Sequence, residues 1–122
     1  MAYTDPQSVT INSVAVSLPR IGIGPSSGIF QSNDGLVRLS IAHQATKGNR
    51  SRHTLRIDHA KIAADPFVGT TNARYSMAAY VVFDVPQVGY TVAEAKQIGD
   101  ALTAYLTAST GANITKLLGN ES

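Results

Sequence analysis

Apolar and polar positions alternate through the first two-thirds of the chain. In SVTI (8–11) and SVAVSL (13–18) the alternation predicts two short strands. Pro19, Gly22, Gly24, Pro25 and Gly28 break up the next stretch into short pieces, and Asn33-Asp34-Gly35 is a turn signal. LVRLSIAHQ (36–44) has Val37, Leu39, Ile41 and His43 on one face and Arg38, Ser40, Ala42 and Gln44 on the other. RHTLRIDHA (52–60) repeats the pattern, with Leu55 and Ile57 apolar and Thr54, Arg56 and Asp58 polar. Gly48-Asn49 lies between them, so the two segments read as a β-hairpin with one apolar and one basic, hydroxyl-rich face. AADPFVGTTNAR (63–74) reads as a loop. YSMAAYVVFDVP (75–86) reads as a further strand ended by Pro86, with Tyr80 on its even face.

The period then changes from two to about 3.6. Thr91-Val92-Ala93-Glu94 has the form of a capping box. Beyond it Ala95, Ile98, Leu102, Tyr105, Leu106 and Ser109 fall on one side of a helix, and Gly111 is placed to stop it. A second short helix is expected over 113–118. Strands over 8–86 followed by helices over about 91–118 make one α+β domain across residues 1–122. Its expected form is an antiparallel meander with an N-terminal hairpin and two C-terminal helices.

Size and composition narrow the function classes. One domain of 122 residues can hold a single core. Charged residues make up 15%, below the ~25% of an ordinary soluble domain, which suits a surface that packs against many copies of itself. The absence of cysteine removes disulfide scaffolds, thiolate metal sites and cysteine nucleophiles. No run approaches the ~18 apolar residues of a membrane span, and MAYTDPQSVT has no basic and apolar regions of a secretory leader. The net charge is only +2, but residues 38–61 hold six of the ten basic residues and one of the eight acids. A positive balance concentrated in one strand-loop-strand segment is the electrostatic footprint of a surface that meets phosphates.

The order of these parts resembles the coat proteins of levivirus-type single-stranded-RNA bacteriophages. The features that carry the likeness are a turn-rich N-terminal hairpin, the basic LVRLSIAHQATKGNRSRHTLRIDHAKI, the strand YSMAAYVVFDVP and the helical TVAEAKQIGDALTAYLTAS. The likeness covers roughly 36–118 and is looser over 1–35. It implies an intertwined homodimer that self-assembles into an icosahedral shell of the T=3 kind around single-stranded genomic RNA. The implied location is the virion, after synthesis in the cytoplasm of a bacterial host. It further implies that the inner sheet face binds RNA, including a hairpin whose capture represses translation. No cofactor, small-molecule substrate or membrane partner is implied.

Carried over position by position, the resemblance puts Arg38, Ser40, Gln44, Thr54, Arg56, Asp58 and Tyr80 on the RNA face. Arginines suit bidentate phosphate contacts, hydroxyls and amides suit ribose and base edges, and Tyr80 is the stacking candidate. Ala42, Ala78 and Val82 occupy the same face without polar groups. Arg50 and Arg52 at the hairpin tip suit either RNA or a neighbouring subunit. Asp65, Pro66 and Gly69 shape the loop that in this family lies around the symmetry axes.

Other signals are weaker. His43, His53 and His59 all lie on the apolar face, and pairing 41 with 55 would set His43 opposite His53. No carboxylate shares that face to complete a zinc site, so packed or interface histidines are expected and no metal. GIGPSSG (22–28) lacks the Lys-Ser/Thr ending of a phosphate-binding loop and reads as a turn. No catalytic constellation is present, so the chain is not read as an enzyme. The alternatives are a non-viral RNA-binding module that does not assemble and, further off, a small histidine-dependent enzyme.

Overall fold

The computed structural model describes residues 3–122. They form two compact units, one ending at Asp84 and one spanning Val85–Ser122.

The first unit holds seven strands. β1 (Gln7–Ile11) and β2 (Val14–Leu18) make the N-terminal hairpin, a two-stranded sheet of its own. β3 (Arg20–Gly24), β4 (Ser27–Gln31), β5 (Val37–Thr46), β6 (Arg50–Ala64) and β7 (Asn72–Pro86) form a five-stranded sheet in chain order. β3 to β6 run antiparallel as a meander. The breaker-rich stretch after Pro19 therefore supports two strands, and only Pro25-Ser26 between them turns.

Alternation and the turn together set the register. Leu39 and Ile41 share a face with Leu55 and Ile57, which fixes the parity of the pairing, and the tight tip selects Ile41↔Leu55 and Leu39↔Ile57. The tip needs two left-handed residues in succession. Gly48 (φ 82) and Asn49 (φ 58) supply them, and Thr46↔Arg50 closes the turn. Between β4 and β5 the turn is tied by side chains. Asp34 Oδ1 accepts from Ser32 Oγ and from Leu36 N, and the buried Ser32 hydroxyl accepts from Val37 N.

The core lies where the N-terminal hairpin covers the odd face of the sheet. Leu18, Phe30, Val37, Leu39 and Ile41 are buried together, with Val9, Ile11, Val16 and Ile57 packed against them. Arg20 fastens the preceding segment. Its backbone N donates to Asp5 Oδ1, its Nη2 donates to the Tyr3 carbonyl, and its guanidinium sits 5.1 Å from the Phe30 ring centroid. This core is small. On β6 and β7 Leu55, Ile62, Met77 and Tyr80 remain exposed.

One expectation changes. The loop predicted over 63–74 is shorter, because β6 runs to Ala64 and β7 starts at Asn72. Asp65 N donates to the Thr71 carbonyl at 2.8 Å, which continues strand pairing up to the loop despite Pro66.

In the second unit the helical element α1 (Val92–Leu118) is interrupted where the sequence places the helix stop, and helical geometry resumes beyond Gly111. Its backbone leaves helical geometry at Ala108, Ser109, Thr110 and Gly111, the last three with positive φ. Thr91 caps the N-terminus by accepting from Glu94 N at 3.2 Å, as the capping box predicts. Across the break Asn113 Nδ2 donates to the Tyr105 carbonyl at 2.8 Å, satisfying an acceptor that the interrupted helix leaves open. Ile98, Leu102, Tyr105, Leu117 and Leu118 are exposed. No helix among the described residues is long and apolar enough to cross a membrane.

Candidate nucleic-acid interface

The even face of β5 and β6 is a ladder of opposed polar residues. Arg38 faces Asp58, Ser40 faces Arg56, Ala42 faces Thr54 and Gln44 faces Arg52. A shallow depression of about 520 Å³ is lined by Arg38, Ser40, Arg56 and Asp58 together with Gln31, Arg74 and Ser76, among others. Four of the predicted residues thus meet around one concavity. Gln44 and Thr54 lie further along the ladder toward the hairpin tip and do not line it. The Tyr80 ring is 64% exposed, and the Arg56 guanidinium carbon lies 5.8 Å from its centroid.

The face is electrostatically one-sided. Arg38, Arg50, Arg52, Arg56 and Arg74 share it with Asp58 and Asp84, and both carboxylates are already engaged. Arg56 donates to Asp58 Oδ1 at 2.9 Å, and Arg50 Nε donates to Asp84 Oδ1 at 2.9 Å. Arg38 differs. It donates through Nε and Nη2 to the neutral amide oxygen of Gln31, at 3.1 and 2.7 Å. The Gln31 contact therefore orients the guanidinium without cancelling its charge. An oriented guanidinium that makes no ion pair of its own is suited to bidentate phosphate binding.

Gln31, Arg74 and Ser76 were not among the sequence candidates. Arg74 and Ser76 have the same parity as Tyr80, but Arg74 had been assigned to the loop. Gln31 follows from its pairing with Arg38 across β4 and β5.

The loop between β6 and β7 is built around Asp65, whose Oδ1 accepts from Phe67 N and Val68 N at 2.8 and 3.3 Å. Pro66 follows it on the surface, and Phe67 is 95% exposed. Gly69 has no left-handed φ and open space around its Cα, so the loop does not depend on glycine at that position.

This arrangement, a five-stranded antiparallel sheet with an N-terminal hairpin and a C-terminal helical element, is the RNA-phage coat-protein fold. No protein-family model matches the chain, and no curated protein matches it. Among solved structures, the virus-like particle of bacteriophage AVE019 superposes with a TM-score of 0.76 at 12% identity, covering 88% of this chain and 90% of that one. The virus-like particle of bacteriophage NT-214 gives 0.71 at 17% identity over 99% of both chains. The bacteriophage GA capsid protein gives 0.68 at 13%, over 97% of this chain and 95% of its own. At these identities the likeness is one of fold.

Proposed function

We propose that the chain is a capsid subunit of an RNA phage, which pairs as a homodimer, assembles into an icosahedral shell and encloses single-stranded RNA within the virion. The observation that carries this reading is the open sheet face where five arginines meet two carboxylates that are already paired. Such a face neutralises phosphates and releases their counterions without needing a defined sequence. The fold likeness over nearly the whole chain supports the shell.

Dimer formation is supported by what the single chain leaves open. β7 is a 15-residue strand at the edge of the sheet, and most of its residues are exposed. An edge of that length is an aggregation hazard unless another strand or a partner covers it. Ile98, Leu102, Tyr105, Leu117 and Leu118 on α1 likewise remain exposed, more apolar surface than a lone small domain normally shows. A two-fold partner would bury both.

On this reading Arg38, Arg56 and Arg74 take phosphates, Ser40 and Thr54 take ribose or base edges, and Tyr80 stacks on a base. Capture of an RNA hairpin, and with it translational repression, would use the same face. Ala42, Ala78 and Val82 on the same face give no base edge a partner, so charge recognition dominates.

Electron microscopy of the purified protein, with absorbance read at 260 and 280 nm on the same fraction, tests the reading. The expected result is uniform closed particles that carry nucleic acid. A lone dimer that binds RNA would make the chain a non-assembling RNA-binding module. A monomer free of nucleic acid would defeat both.

A further inference from the structure

His43 and His53 are opposed residues of β5 and β6, on the sheet face opposite Arg38 and Arg56. Their Nδ1 atoms lie 2.8 Å apart, the ring centroids are 5.0 Å apart, and the ring planes cross at 69°. Both residues are exposed. One neutral imidazole donating to the other accounts for the contact as it stands. The same separation is also that of two nitrogens bound side by side on one metal ion.

Ligand chemistry narrows the ion. With metal–nitrogen bonds of about 2.0 Å, ligands at right angles are about 2.8 Å apart and ligands at the tetrahedral angle about 3.3 Å apart. The observed distance lies near the right-angled case, the tetragonal geometry of Cu²⁺ and Ni²⁺, but it is equally that of the metal-free imidazole pair, so affinity rather than distance ranks the ions. Imidazole is a preferred ligand of both ions, and Cu²⁺ stands highest in the order of divalent affinities.

The scaffold is already in place. The two rings project from a ladder paired without interruption from Val37↔His59 to Thr46↔Arg50, so little backbone ordering is left for binding to pay for. His59 shares the face but stands six residues further along β6, about 20 Å away at strand rise, and takes no part. Asp58 and Asp84 are on the other face. Among the described residues no group of three or more His, Cys, Asp and Glu converges, so water would fill the remaining positions.

We propose that His43 and His53 form a two-imidazole clip for a divalent cation of the Cu²⁺ or Ni²⁺ type.

The test adds Cu²⁺ alone to the chelator-stripped full chain at neutral pH and records its electron paramagnetic resonance spectrum. The expected spectrum shows two coordinated imidazole nitrogens at one ion per chain. His43→Gln and His53→Gln should each remove that pattern and weaken binding by at least the roughly 10–100-fold that loss of a ligand's hydrogen-bond partner costs, while His59→Gln leaves both unchanged. Cu²⁺ should also raise the unfolding temperature of the unsubstituted chain, since the clip exists only in the folded sheet. A missing two-nitrogen pattern, a pattern that survives either substitution, or one lost in His59→Gln overturns the proposal.

Discussion

Arg50 and Asp84 join the tip of the β5–β6 hairpin to the end of β7. Arg50 donates through Nε to the Asp84 carboxylate at 2.9 Å and through Nη2 to the Asp84 carbonyl at 3.3 Å. Both side chains are close to half exposed, so solvent screens the pair and its contribution to stability is at most about 1 kcal/mol. Its consequence lies in charge. Asp84 holds a guanidinium that would otherwise be free to meet phosphate.

Asp84→Asn should therefore leave stability within about 1 kcal/mol by urea denaturation, yet strengthen RNA binding. Plotted against the logarithm of salt concentration, the affinity should fall more steeply, by about 0.7 for the one additional phosphate contact to a single strand. An unchanged slope would show that Arg50 faces a protein neighbour instead.

Arg38 and Arg56 should separate in the same assay. Arg38 is held by a neutral amide and Arg56 by a carboxylate, so Arg38 offers more net charge to the RNA. Arg38→Ala should flatten the slope by about 0.7, and Arg56→Ala by less, because Asp58 already compensates its charge. Tyr80→Ala should cost roughly 1–3 kcal/mol of binding, with Tyr80→Phe close to neutral because stacking needs only the ring. Equal losses from the two tyrosine substitutions would point to the hydroxyl instead.

The register that builds this face was legible in the sequence because strand alternation has a period of two. Once Leu39, Ile41, Leu55 and Ile57 had to share a side, opposed positions had an even sum; pairing 41 with 55 would set His43 opposite His53, and the structure has that pairing. What the residues on one strand meet beyond the hairpin was not legible. The Arg50–Asp84 contact spans 34 positions and depends on how β7 lies beside β6. Arg74 was missed because Asp65-Pro66 and Gly69 read as breakers, and the polar run after them shows no alternation to mark the strand's start. The helical break was half legible. Gly111 marked it, but neither residue type announces the positive φ of Ser109 and Thr110.

Core substitutions should expose how much of the sheet relies on the N-terminal hairpin. Leu18 is fully buried and is the hairpin's deepest contact with Phe30, Val37 and Leu39. Leu18→Ala should cost about 2–5 kcal/mol and Phe30→Ala about 3–5 kcal/mol in urea denaturation. A loss under about 1 kcal/mol at Leu18 would mean that the hairpin contributes little to the folded sheet.

Acid should loosen the β4–β5 turn. Hydrogen bonds from the Ser32 hydroxyl and the Leu36 amide hold the Asp34 carboxyl below the ordinary carboxylate range. A carboxyl lowered in the folded state adds stability above its unfolded value, near 3.9, and loses it as pH falls through the folded value. Between pH 5 and pH 3 the native chain should lose more stability than Asp34→Asn, which keeps an acceptor but no titrating charge. Parallel acid profiles for the two proteins would assign the acid response elsewhere.

The loop between β6 and β7 offers the sharpest test of shell geometry. Its ends are already brought together by the Asp65 N to Thr71 carbonyl hydrogen bond, so residues 66–70 are not needed to join the strands. Yet they raise Phe67, 95% exposed, and Val68, 51% exposed, into solvent. Two apolar side chains on a strand-to-strand turn do nothing for the lone subunit, but they suit contacts with neighbouring copies. Replacing residues 66–70 with Asn-Gly, the preferred two-residue hairpin turn, should leave a folded dimer by size-exclusion chromatography. Closed particles should be absent by electron microscopy. Phe67→Ser alone should act in the same direction, lowering particle yield while leaving dimers intact. Intact shells from the shortened chain would show that the loop merely connects β6 to β7, and the contacts that close the shell would have to be sought on other surfaces.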